Sequence, residues 1–199
     1  MTKTDPIAYL KGLGDVLLKM EATNARQEKW TLDQGLEEGI QLIVEQSSKR
    51  KKIIFIGNGG SAAIASHQSV DYWKNGGMRA IAFNDTSLLT CIGNDYGYPF
   101  VFEKPVEMFA DSGDVLIAIS SSGKSENILN GVKMAKKMGC PVITMSGFKS
   151  DNPLRSLGDV NFYVPAPTGA YGFVEIAHLT LCHCMVDAII DRNLVKQPA

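Results

Sequence analysis

From Lys52 to Asp71 the chain reads KIIFIGNGGSAAIASHQSVD, and this stretch decides the fold. Ile53 to Ile56 form an apolar run bounded by glycine, the pattern of a buried strand. Gly57, Asn58, Gly59 and Gly60 permit a turn with positive φ and leave backbone N–H groups uncovered. Ser61 is placed to cap the alanine-rich helix that follows. A strand that passes through such a turn into a helix favours a bound anion, because the first N–H groups and the helix dipole point at it. His67 and Asp71 stand four residues apart on that helix and share one face. The pair suits a metal or a proton transfer, and an ordinary surface pair has the same spacing.

Outward from this unit, strand-like runs recur at RAIAFND (79–85), DVLIAIS (114–120), CPVITMS (140–146) and VNFYVP (160–165), with helical patterns between most of them. Short strands that are apolar on both faces, alternating with helices, predict an α/β domain: a doubly wound, five-stranded parallel sheet flanked by helices. Residues 86–112, which include NDYGYP, read as a polar loop followed by a short helix. Segments 147–158 and 165–172 also read as loops, and a last helix runs from about Phe173 to Arg192. Ahead of the sheet, residues 6–21 place Ile7, Leu10, Leu13, Leu17 and Leu18 at helical spacing behind Pro6. A second helix starts after Thr31 and buries Leu36, Ile40, Leu42, Ile43 and Val44. These two N-terminal helices, within residues 1–50, are expected either to cover the sheet or to meet another subunit. With no linker or repeat, residues 1–199 read as a single domain.

Composition narrows the function. The chain of 199 residues is 45% hydrophobic and 21% charged, enough for a real core. Its net charge of -1 and lack of a basic block argue against nucleic acid and anionic membrane as partners and favour a small ligand. No run reads as a membrane span, and MTKTDPIAYLKG lacks the apolar core of a signal peptide, so a cytoplasmic location is expected. Cys91, Cys140, Cys182 and Cys184 show no CxxC pairing and are expected to be buried thiols, with Cys184 a lesser candidate for metal ligation beside His183.

The most specific local signal is Ser120-Ser121-Ser122-Gly123-Lys124-Ser125, directly after the strand DVLIAI and directly before the helical NILNGVKMAKKM. Its hydroxyls and a helix N-terminus suit a phosphate monoester. The spacing does not fit GxxxxGK[ST], since Gly123 alone precedes the lysine at the required range, and a nucleoside triphosphate is disfavoured. A serine-rich turn that merely caps a helix is the plainer reading. Two such loops at strand C-termini point instead to a ligand, because open α/β sheets bind at that edge.

GNGGSAA with its following histidine, the GNDYG stretch, GDVLIAISSSGKSEN and VEIAHLTLCHCMVDAI together resemble the sugar-isomerase (SIS) fold. Within it they look like the phosphoheptose isomerase branch, which interconverts sedoheptulose 7-phosphate and D-glycero-D-manno-heptose 7-phosphate. The likeness runs from about residue 50 to 190. It implies an aldose–ketose isomerase, a homotetramer with active sites between subunits, and a divalent metal, zinc by preference. Carried over by position, phosphate and sugar contacts fall on Asn58, Gly59, Gly60, Ser61, Asn94, Asp95, Ser120, Ser121, Ser122, Ser125 and Glu175. Metal positions fall on His67, Asp71, Glu175 and His183, and catalytic roles on Asp71, Glu175 and His183.

The departures lie on the sugar and metal side. Asp71 replaces the family's glutamate, and Glu175 replaces its glutamine. Tyr72-Trp73-Lys74-Asn75 offers no clear equivalent of the family's sugar-contacting basic residue, and Gly172 stands where an acid is expected. Isomerisation through an enediolate needs a base near two carbons and a group that stabilises the oxyanion, roles open to His, Asp, Glu and a metal. On a regular helix Glu175 and His183 are about 12 Å apart along the axis, at the limit for sharing one ion. His178 between them is either a supporting partner or a packed residue. Two further readings stand beside the heptose isomerase: an isomerase for a phosphorylated sugar of different length, and a non-catalytic SIS-fold regulator that binds protein partners. Retention of His67, Asp71, Glu175 and His183 favours the enzyme.

Overall fold

The computed structural model describes residues 5–195. Two helices come first, as expected. α1 (Pro6–Leu18) starts on Asp5, whose carboxylate accepts from the Ile7 N–H at 3.0 Å, and Pro6 occupies a first-turn position where it loses no hydrogen bond. α2 (Leu32–Ser48) starts on Thr31, whose hydroxyl accepts from Gln34 N–H at 3.1 Å. Between them lies an element the pattern did not predict: a hairpin of β1 (Glu21–Asn24) and β2 (Lys29–Trp30). Asn24 builds its turn, its Oδ1 accepting from the N–H groups of Arg26 (2.9 Å) and Glu28 (3.0 Å).

The remaining strands are β3 (Lys52–Gly57), β4 (Arg79–Ala82), β5 (Val115–Ser120), β6 (Val142–Gly147) and β7 (Val160–Val164), each within or beside a predicted run. They form a parallel sheet in the order β7-β6-β5-β3-β4, and β1 adds antiparallel to β7 with β2 outside it. The sheet thus has seven strands in place of the expected five. Burying β1 requires Gly35 on α2, because a side chain there would run into Ala22 and Phe162.

Alternate residues of each central strand feed two cores, as a sheet buried on both faces demands. Ile53, Phe55, Ile117 and Ile143 pack under α2, α3 (Gly60–Val70) and α7 (Tyr171–Asp191). Ile54, Ile56, Leu116 and Val142 pack under α5 (Glu103–Phe109) and α6 (Glu126–Lys137). α4 (Thr86–Asp95) joins this second face, so the segment read as a loop is largely helical, capped by Asp85 on the N–H groups of Ser87 and Leu88. α2 therefore covers the sheet, while α1 leaves Ile7, Leu10 and Leu18 exposed.

One helix, α7, does reach the length and hydropathy of a membrane span, contrary to the reading of the sequence. Here it is a core helix: Val174, Ala177, Leu181, Cys182, Met185, Val186 and Ile189 are buried. Two of the four cysteines expected to be buried are not. Cys140 and Cys182 are buried, but Cys91 and Cys184 are exposed.

Chain direction places the site. β3 leads through α3 to β4 on one side, whereas β5 lies on the other side of β3, with Gly57 paired to Ile119. The loops after β3 and β5 diverge at this switch point and open a crevice at the strand C-termini.

Candidate active site

The crevice has a volume of about 230 Å³ and is lined by Asn58, Gly59, Gly60, Ser61, Ser120, Ser121, Ser122, Ser125, Tyr171 and Glu175. Both predicted loops meet in it, each at a helix N-terminus. α3 begins at Gly60, two residues before the expected start, with Gly59 at φ 54 in the cap position expected for Ser61 and Ser61 buried inside the first turn. Gly57 must lack a side chain, since a Cβ there would strike the Ser61 backbone. In the second loop Gly123 has φ 63, a region open to glycine, and its N–H donates to Ser120 Oγ at 3.2 Å. Ser125 stands at the N-cap position of α6 without a side-chain hydrogen bond to the helix N–H groups, and its Oγ lies 3.5 Å from Ser120 Oγ.

Among the described residues, Glu175 is the one charged side chain lining the crevice. An anion bound here is held by N–H groups, hydroxyls and two helix dipoles, without a lysine or arginine. α7 delivers Glu175 onto Gly60, and a Cβ at Gly60 would overlap its carboxylate. His178, one turn further along, is fully buried and its Nε2–H donates to the Ser146 carbonyl at 3.2 Å, pinning α7 to the end of β6. Burial pushes its imidazole down to about 4, against the upward pull of that hydrogen bond. It is a packed residue that positions the helix.

A second group lies further along α7. Asp71 Oδ2 is 3.3 Å from His67 Nε2 and 3.8 Å from His183 Nδ1, and the two imidazoles are 5.6 Å apart between centroids. One ligand atom from each of His67, Asp71 and His183 falls within 4.8 Å of the others. Asp71 opens a π-helical turn (Asp71–Asn75), and Asn75 donates to its Oδ1 at 3.1 Å, leaving Oδ2 for the cluster. Two imidazoles and a carboxylate at this spacing are a donor set suited to zinc and its neighbours, so the residues present fit a divalent ion. Glu175, the fourth expected ligand, is not part of this cluster and sits in the crevice.

The crevice of this chain does not include Asn94 and Asp95. Both are exposed in the last turn of α4, where Asn94 Nδ2 donates to Asp95 Oδ1 at 2.9 Å. From the same GNDYGYP stretch Tyr98 reaches the crevice residue Asn58 from outside the lining, its hydroxyl donating to Asn58 Oδ1 at 2.9 Å. Asn58 and Asn127 exchange paired amide hydrogen bonds of 2.9 Å. Tyr98, Asn127, Tyr171 and Gln68 were not singled out from the sequence. Asn127 lies two residues after Ser125, and Tyr171 lies four before Glu175, so proximity to those motifs was the available signal.

Fold, switch-point crevice and serine loop define a protein of the sugar-isomerase type. A profile of the SIS domain matches residues 19–147. Phosphoheptose isomerase of Aliarcobacter butzleri is 41% identical over 170 residues, 82% of this chain and 88% of that protein. That of a Nitratiruptor species is 44% identical over 158 residues, 76% and 82% of the two chains. The structure of phosphoheptose isomerase from Neisseria gonorrhoeae superposes with TM-score 0.79 at 33% identity, covering 92% of this chain and 96% of that one. The chain belongs to the phosphoheptose isomerase family of SIS-domain proteins.

Proposed function

We propose that the crevice isomerises a phosphorylated sugar between its ketose and aldose forms, with sedoheptulose 7-phosphate and D-glycero-D-manno-heptose 7-phosphate as the pair. Family membership supports the aldose–ketose class. The observation that carries the reading here is the meeting of the two loops with the Glu175 carboxylate in one crevice. The phosphate would rest on Ser120, Ser121, Ser122 and Ser125 at the N-terminus of α6, and the sugar would extend past Asn58 and Ser61 toward α7.

The two acids differ in freedom. Both oxygens of Asp71 face partners, His67, Gln68 and His183 on one side and Asn75 on the other. Among the described residues no side-chain hydrogen bond ties Glu175. Glu175 is therefore assigned the carbon-bound proton, taken from one carbon and returned to its neighbour, and Asp71 a holding role. His183 would move the proton between the sugar oxygens and assist ring opening. His67, Asp71 and His183 would hold a divalent ion, zinc by preference, which when bound polarises those oxygens. Tyr171 lines the crevice beside Glu175. A homotetramer is part of this proposal, with the exposed apolar residues of α1 as one contact surface.

Turnover of phosphorylated ketoses of five to eight carbons, measured by appearance of the aldose, tests the reading. Conversion of the seven-carbon substrate is expected to be fastest. A preference for another length would reassign the substrate, and no conversion of any would remove the enzyme reading in favour of a binding module.

A further inference from the structure

Gln68 is fully buried on α3, facing α7 between the cluster residues. Its Nε2 lies 3.0 Å from His183 Nε2 and 3.3 Å from Asp71 Oδ2, while its Oε1 is buried without a partner. A buried amide oxygen with no donor is costly, and the contacts of Nε2 with His183 and Asp71 leave that cost in place. A half-turn of the amide exchanges oxygen and nitrogen at little steric cost. The oxygen then faces His183 and Asp71, where a cation would meet it.

We propose that Gln68 is a metal ligand of this chain, completing with His67, Asp71 and His183 a four-donor site of two imidazoles, a carboxylate and an amide oxygen. Glu175, which the family pattern would assign to the ion, is thereby left in the crevice for proton transfer. The exchange is chemically consistent. The amide expected on α7 is absent there, and an amide stands on α3 beside the other ligands; the carboxylate that replaces it on α7 lies over Gly60 instead. Two imidazoles, one carboxylate and one neutral amide keep the N/O donor character that zinc, nickel and cobalt accept. The inference rests on the metal assignment proposed above, and its test reads the ion itself, so it stands or falls separately from turnover.

The experiment strips the full-length protein with a chelator and titrates zinc in competition with a chromophoric chelator, with cobalt(II) absorption as a second signal. The wild type is expected to bind the ion tightly. Gln68→Leu should lower zinc affinity by more than about a hundredfold, beyond the tenfold to hundredfold lost when only a group behind a ligand is removed, and a loss inside that smaller range, or none, would make Gln68 a support of His183 and overturn the assignment. Gln68→Glu, which keeps an oxygen donor, should hold zinc at least as tightly as the wild type, and Glu175→Gln should leave the affinity unchanged. If Gln68→Leu does not fold, the latter two variants decide. Release of zinc by Gln68→Glu, weakening by Glu175→Gln equal to that of His67→Ala, or failure of the wild type to bind zinc each overturns the assignment.

Discussion

His178 makes the stability of this protein fall in acid by an amount the structure sets. Its ring is fully buried, its Nε2–H is committed to the Ser146 carbonyl, and Nδ1 has no partner. Burial opposes the charged imidazolium more strongly than the hydrogen bond favours it, which puts the folded-state value at about 4 against 6.5 for a free histidine. Between those values the unfolded chain binds a proton that the folded chain refuses, so stability falls as pH drops. Each pH unit in that window is worth about 1.4 kcal/mol, giving about 3 kcal/mol between pH 6.5 and 4. The contribution is complete above pH 6.5 and exhausted below pH 4. Against a total of roughly 5–15 kcal/mol such a loss is large. Urea denaturation at pH 7.5, 5.5 and 4.5 measures it, with His178→Gln as the control that keeps a donor toward Ser146 but cannot ionise. The wild type should lose about 2.5 kcal/mol more than the variant between pH 7.5 and 4.5. Equal losses in the two proteins would refute the account of a neutral, buried ring.

Other consequences are equally direct. Lys52, whose ammonium lies 2.7 Å from the buried Asp114 carboxylate, should be costly to remove: Lys52→Met leaves that charge without its cation, held only by the N–H groups of residue 52 and Asp111, and a loss of about 3 kcal/mol is expected in thermal or urea unfolding. Gly123→Ala forces a side chain into positive φ and onto Asn152, so about 1–3 kcal/mol of stability should be lost together with phosphate affinity in calorimetric titration. Glu175→Gln should reduce kcat by about 100-fold or more while KM changes little, since the proton carrier is lost and the serine loop is untouched. A fall confined to KM would move Glu175 from proton transfer to binding.

The parallel sheet and the crevice were legible because their causes are local. Ile53 to Ile56 and Val115 to Ile119 are apolar on both faces, and each runs into a glycine- or serine-bearing turn that leaves helix N–H groups open. The β1–β2 hairpin was not legible: Glu21–Asn24 lacks alternation, and its strand conformation comes from pairing with β7 and from the close approach of Gly35. Asn94 and Asp95 read as loop residues from their polar, glycine-flanked setting, yet the Asp85 cap carries the helix through them. Nothing in the sequence marks Gln68, because its burial depends on α7 arriving from the far end of the chain. Glu175 and His183 are likewise separated into two locations by the length of α7, which spacing suggested and the crevice made definite.

The central claim is that this crevice moves a carbon-bound proton on a phosphorylated ketose, and a proton NMR experiment in deuterium oxide tests it most directly. With sedoheptulose 7-phosphate and the wild-type protein, the aldose 7-phosphate should appear carrying deuterium at carbon 2, with Glu175→Gln nearly inactive. Appearance of the aldose at wild-type rate in the Glu175→Gln protein, or no interconversion and no deuterium uptake with the wild type, would contradict the account.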